Sequence, residues 1–144
     1  MPRSCYSRIS YFSLKGADFL GKFLIRCTAT GYMFDLQAAN GETVATSEVY
    51  DTMAACRKGV ESVRKSAPDA KLEDQTEPNF RTAAHPKFEL FQDRSGKFRF
   101  RLKARNGKVI AVSDDYATKA GCEKGIESVR LNAAGCCAQF ETIR

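Results

Sequence analysis

Apolar and polar residues run through the same changes of period twice along this chain. Lys22-Phe23-Leu24-Ile25-Arg26-Cys27 is a short apolar run closed by Thr28-Ala29-Thr30-Gly31, which predicts a strand and a turn. Tyr32 to Ala39 predicts a second strand and Glu42 to Ser47 a third, the latter rich in β-branched residues. Asn40-Gly41 between them predicts a two-residue type I′ hairpin turn, which needs positive φ at both positions. The period then lengthens. Met53, Cys56, Val60 and Val63 are spaced by 3, 4 and 3, as on the apolar face of a helix. Thr52 stands where an N-cap hydroxyl accepts an early backbone N–H, and Pro68 disfavours helical geometry at Ala67. Glu61 can pair with Lys65 one turn on. Ala70 to Asp74 predicts a short fourth strand.

The second half rewrites the first. Lys87 to Gln92 predicts a strand, Asp93 to Gly96 a turn, Lys97 to Arg105 a strand, Asn106-Gly107 a hairpin turn and Lys108 to Ser113 a strand. Thr118 caps a helix with Cys122, Ile126, Val129 and Ala133 on its inner face; Gly135 stops it, and Ala138 to Ile143 closes the chain as a strand. Phe100–Ala133 aligns without a gap to Phe34–Ala67, 66 residues earlier, and is identical at 18 of 34 positions. Chance does not give that match, so the chain carries an internal duplication. One copy of about 55 residues is near the lower limit for folding alone, which favours a shared core. The expected fold is α+β: two tandem βββαβ repeats in one continuous antiparallel sheet, two helices on one face and solvent on the other. Residues 1–20 form an N-terminal extension, 21–75 repeat 1, 76–86 a linker and 87–144 repeat 2. The extension, with its Arg, Lys and Ser and no acid before Asp18, reads as a loose tail, an edge strand, a transit-like segment or a start codon placed too early.

Phe100-Arg-Leu-Lys-Ala-Arg-Asn-Gly and Tyr116-Ala-Thr-Lys-Ala-Gly-Cys-Glu-Lys-Gly-Ile resemble the YegP-like family of small bacterial tandem-repeat proteins, a domain of unknown function. The first copy matches through Phe34, Leu36, Asn40-Gly41, Tyr50, Ala54, Cys56 and Gly59. The resemblance spans about residues 21–144. It implies one sheet in which each repeat lends its last strand to the other, and it implies no activity. The chain departs from the pattern in three places. Repeat 1 is one residue shorter before Phe34, the first twenty residues lie outside the match, and Cys136-Cys137 are inserted before the closing strand.

Composition narrows the function classes. The net charge is +6, and residues 76–144 carry thirteen Lys/Arg against eight Asp/Glu while residues 1–75 carry ten against nine. The excess in the second half points to an anionic partner such as nucleic acid, or simply to solubility. No apolar run approaches a membrane span, so no membrane partner is expected. The first residues lack an apolar core segment and a small-residue cleavage site, so a cytoplasmic, reducing setting with six free thiols is expected.

One strand concentrates the charge. Lys97, Arg99, Arg101, Lys103 and Arg105 alternate with Phe98, Phe100, Leu102 and Ala104, so a strand would put all five cations on one face. This is the candidate anion- or nucleic-acid-binding site. No aromatic residue interleaves the cations, and repeat 1 has Asp35, Gln37 and Ala39 at aligned positions. The alternative is a solvated face whose basic residues guard against strand-edge pairing. Cys56 and Cys122 read as small buried residues, and Cys136-Cys137, lacking a C-x-x-C partner, as a weak metal signal but a candidate thiol nucleophile. His85, the lone histidine, reads as an exposed linker residue. Tyr50 and Tyr116 precede each helix cap and read as rings packed at the strand–helix junction with hydroxyls in water. Gly59 and Gly125, mid-helix, imply a close approach by another element. A non-enzymatic binding module is therefore expected, with no cofactor and no metal, as a monomer or small homo-oligomer. A small thiol enzyme using Cys136 or Cys137, or a structural, oligomerising protein, are the alternatives.

Overall fold

The computed structural model describes residues 21–133 and 139–143. Three strands, β1 (Lys22–Cys27), β2 (Tyr32–Gln37) and β3 (Thr43–Thr46), lead to helix α1 (Met53–Ser66), one 3-10 turn (Ala67–Asp69) and β4 (Lys71–Asp74). The order recurs as β5 (Lys87–Gln92), β6 (Phe98–Lys103), β7 (Val109–Val112), α2 (Lys119–Ala133) and β8 (Gln139–Ile143). The strands form one eight-stranded sheet in the order β4-β5-β6-β7-β3-β2-β1-β8.

The last strands of the halves are exchanged. β4 pairs with β5 of the second half, and β8 pairs with β1 of the first. Both of these pairings are parallel, so the sheet is mixed, not wholly antiparallel as the sequence suggested. The reason is topological. A strand arriving from a helix that covers the sheet runs alongside its new neighbour, and the chain must then travel back the length of the sheet to begin the next strand. Residues 75–86 make that return. The halves meet at the centre through β3 and β7, in register at Thr46 and Val112.

The turns differ from expectation in type. Ala38 N–H donates to Glu42 C=O and Gly41 N–H to Ala38 C=O, which makes a three-residue loop with Gly41 at φ 88°. The second hairpin repeats this at Ala104, Gly107 and Lys108, with Gly107 at φ 84°. These are type I turns closed by a left-handed glycine, not two-residue type I′ turns. Asn40 and Asn106 serve as acceptors instead, their Oδ1 atoms bonding the N–H of Glu42 and Lys108. The one-residue deficit of the first half is absorbed in the Thr28–Gly31 turn. Phe23 faces Leu36 as Phe88 faces Leu102, so the strand registers agree.

The core lies between the sheet and the two helices. Phe23, Ile25, Phe34, Leu36, Phe88, Leu90, Phe100 and Leu102 point into it and are essentially fully buried. Phe23 meets Phe34 edge to face with centroids 5.7 Å apart, and Phe88 meets Phe100 likewise at 5.8 Å. Helix α1 buries Cys56, Gly59, Val60 and Val63, and α2 buries Cys122, Gly125, Ile126, Val129 and Ala133, as the 3.6-residue period predicts. Thr52 accepts from Ala55 N–H and Thr118 from Gly121 N–H. On the outer side of α1 Glu61 pairs with Arg64 at i+3, not with Lys65. Both helices cross the midline: α1 packs on β2 and β7, and α2 on β2, β3, β5 and β6. Arg130 adds a tie between halves, donating to Ala70 C=O at 2.7 Å while its guanidinium lies 5.1 Å from the Phe88 ring centroid.

Candidate anion-binding face

Phe100 and Leu102 of β6 point into the core, so Arg99, Arg101 and Lys103 lie on the opposite, outer face of the sheet. Of the five expected cations these three stand in the strand. Lys97 precedes it, and Arg105 falls in the following turn, 3.8 Å from Asp69. The strand is shorter than its alternation suggested because the turn at Ala104–Lys108 begins before Arg105.

Each of the three meets an acid. Glu89 on β5 stands directly opposite Arg101 and accepts from its Nε; it also lies 3.2 Å from Lys103 Nζ and 3.3 Å from Lys87 Nζ. Lys87 donates to Glu73 of β4 at 2.7 Å, so the exchanged strand supplies a counter-charge to the other half. Glu73 accepts further from Gln75 and from Ala83 N–H. That last bond brings the linker back to this face, which is therefore only partly open to solvent. Glu73, Lys87 and Glu89 are 3–4% exposed. Asp93, in the turn before β6, accepts from Arg99 Nε at 2.9 Å and from Ser95 and Lys97 N–H.

Burial by itself raises a carboxyl pKa. At Glu73 the hydrogen bonds from Lys87, Gln75 and Ala83, with the charge of Lys87, outweigh burial and hold it down at about 2. The same contest, won by Arg101 and Lys103, lowers Glu89. Lys87 is raised by its bond to Glu73 against the opposing pull of desolvation. Asp93 is lowered by Ser95 and Arg99.

Arg99 and Arg101 are both anchored through Nε, which leaves the terminal nitrogens of each guanidinium for a further acceptor. Their side chains are 41% and 35% exposed. The Arg101 guanidinium lies over Phe91, its Cζ 4.5 Å from the ring centroid. Phe91 is directly opposite Arg99 on β5. An aromatic thus does share the face with the cations, contributed by the neighbouring strand. Reading Lys87, Glu89 and Phe91 as the outward set of β5 would have found both it and Glu89, given the β5–β6 register. Glu73 was out of reach because the exchange was expected but its parallel register, which sets Glu73 opposite Glu89, was not.

The first half builds a different face. Asp35, aligned with Arg101, accepts two bonds from Arg26 at 2.8 and 3.0 Å. Leu24 stands where Glu89 does, and Met33 and Gln37 where Arg99 and Lys103 do. The row of three cations along β6 therefore has no counterpart in β2.

The other candidates fall elsewhere. Cys56 and Cys122 are fully buried, and burial pushes both thiols up to about 11, far from a nucleophile's range. Cys136 and Cys137 lie outside the described residues, as does the N-terminal extension. His85 is exposed and sits beside Gly107 of the turn after β6. Tyr50 and Tyr116 stack on Phe34 and Phe100 with centroids 6.4 Å apart, and their hydroxyls abut Gly59 and Gly125. Among the described residues no three metal-binding side chains gather, and no helix is long and apolar enough to cross a membrane.

Comparison with known proteins places this architecture. A family model described as a domain of unknown function, DUF1508, matches residues 28–74 and again 93–135. The UPF0339 protein plu2779 of Photorhabdus laumondii is 40% identical over 97 residues, 67% of this chain and 72% of the relative. A UPF0339 protein of Treponema denticola is 68% identical over 47 residues, 33% of this chain and 81% of the relative. The solution structure of yegP from E. coli, itself described as a protein of unknown function, superposes with a TM-score of 0.67 at 34% identity, covering 86% of this chain and 95% of that one. With two matches of the family model covering more than half of its length, and a YegP structure sharing its fold, the chain belongs to the YegP-like DUF1508 family, also called UPF0339.

Proposed function

We propose that the protein is a non-enzymatic binding module built from two copies of one βββαβ unit, and that it takes an anionic, phosphate-bearing partner on the outer face of β5 and β6. The observation that carries this is the pair Arg99 and Arg101. Each is anchored by a carboxylate at Nε, and their terminal nitrogens stand two positions apart on one face. Anchoring reduces the side-chain entropy lost when a ligand binds, and a guanidinium held at Nε keeps its terminal fork for a phosphate. Lys103 extends the patch along the strand, and Lys97 and Arg105 flank the strand at its two ends. Glu89, Asp93 and Glu73 cancel much of the field, so long-range attraction is weak and binding depends on close contact. The test is titration with polyphosphate at about 50 and about 200 mM salt. Affinity falls with salt, and the triple substitution R99Q/R101Q/K103Q abolishes binding while circular dichroism stays native. Undiminished binding by the folded triple variant overturns the proposal.

A further inference from the structure

We infer that the anion taken at this face is a single-stranded polynucleotide, with one base stacked on the Arg101–Phe91 pair and neighbouring phosphates on Arg99 and Lys97. The inference rests on the anion-binding reading above and adds the chemical class of the ligand. Its carrier is the guanidinium of Arg101 lying over the Phe91 ring at 4.5 Å, with Glu89 fixing its Nε. The guanidinium is thereby held as a flat, charged platform over an aromatic floor, a surface on which a base can stack. Val112, directly opposite Arg101 on β7 and 41% exposed, continues the floor towards the middle of the sheet. Arg99 lies two positions from Arg101 on the same face, about 6.5–7 Å along the strand, within one nucleotide of the base stacked there.

Magnitudes select this ligand over a bare polyanion. The acids at 73, 89 and 93 neutralise much of the local charge, and only about two phosphates find guanidinium or ammonium partners at the platform. Two contacts give a single-strand salt slope of only about −1.4, too little for useful affinity from charge alone. Stacking is worth roughly a factor of ten per base and supplies the missing part. A duplex offers its phosphates but keeps its bases inside the stack, so it gains only the weak electrostatic share.

Fluorescence anisotropy on the full chain decides it, using a labelled ten-residue oligo-dT, an oligo-rU, an abasic oligomer with the same backbone and a duplex, at about 50 mM salt. Both base-bearing single strands are expected to bind about tenfold or more tighter than the abasic strand and the duplex. F91L should cost about tenfold against the base-bearing strands and nothing against the abasic one. R101K, which keeps the charge and loses the plane and the fork, should cost the base-bearing strands at least as much and the abasic strand distinctly less, and guards against a folding defect in F91L. R99Q should weaken every probe. If the abasic oligomer matches the others and neither F91L nor R101K matters, the polynucleotide inference is overturned and anion binding stands. If no probe binds, the polynucleotide inference is overturned, and the polyphosphate titration decides the anion reading.

Discussion

The hydroxyl of Tyr116 rests on helix α2 at Gly125, so close that a Cβ built there would lie 2.3 Å from it. Tyr50 stands in the same relation to Gly59, at 2.4 Å. Helix propensity alone favours alanine over mid-helix glycine by about 1 kcal/mol. The ring, wedged between the helix and Phe100, cannot swing away as a flexible chain would, and the clash outweighs that preference. G125A and G59A are each expected to destabilise the fold by about 1–3 kcal/mol in urea denaturation. Y116F should recover part of the loss in G125A, giving a favourable coupling in a double-mutant cycle. A rise in the urea midpoint for G125A would contradict this packing.

Ser113 replaces a rung of the β6–β7 ladder. Its Oγ accepts from Phe100 N–H at 2.9 Å and donates to Asp114 C=O, while its own N–H returns to Phe100 C=O. Ser47 does the same with Phe34 and Glu48. Both serines are buried. S113A leaves the Phe100 N–H without its acceptor and should cost about 1–3 kcal/mol. A stability within about 0.3 kcal/mol of wild type would show that this N–H finds another partner.

Acid should lower the stability of the whole fold through the carboxylates of the outer face, which stay ionised in the folded chain while the unfolded chain takes up protons. Glu73 is lowered from 4.5 to about 2 in the folded chain, so its contribution is fully present above about pH 4.5 and is lost as pH falls through about 2. Allowing for screening, this amounts to about 1–2 kcal/mol, and Glu89 acts in the same direction. Urea midpoints measured from pH 6 to pH 2 should fall most steeply below 4.5, and E73Q should flatten that slope. A variant with the wild-type pH dependence would assign the acid sensitivity to other carboxyls.

What the sequence disclosed depends on how local each cause is. The helix faces around Cys56 and Cys122 and the Thr52 and Thr118 caps were legible because each is decided within a turn or two of chain. Asn40-Gly41 and Asn106-Gly107 marked the right places but the wrong turn, since the closing pairs Ala38–Glu42 and Ala104–Lys108 set the loop length. Parallel pairing at β4 and β8 was not legible, because neighbour choice and direction are settled by the whole sheet. The cation stripe was an incomplete picture for the same reason. One strand shows its own alternation, while Glu89, Phe91 and Glu73 arrive from two others.

The strand exchange predicts what one half should do alone. In the full chain β4 covers the edge of β5, and β8 covers the edge of β1, the counterpart of β5. An isolated second half, residues 85–144, would leave β5 uncovered and β7 without β3. A second copy repairs both: β7 pairs with β7 across a twofold axis, and each β8 takes the place of β4 on the other copy's β5. The Treponema relative fits this logic, since 47 aligned residues make up 81% of it, about 58 residues in all, the length of one half. A chain of that size is near the lower limit for folding alone, so folding and pairing should be one event. Fragment 85–144 is expected to sediment as a dimer, with a melting temperature that rises with protein concentration. A folded monomer with concentration-independent melting would mean that the exchanged strand can close on its own half, and the intertwined core would lose its reason.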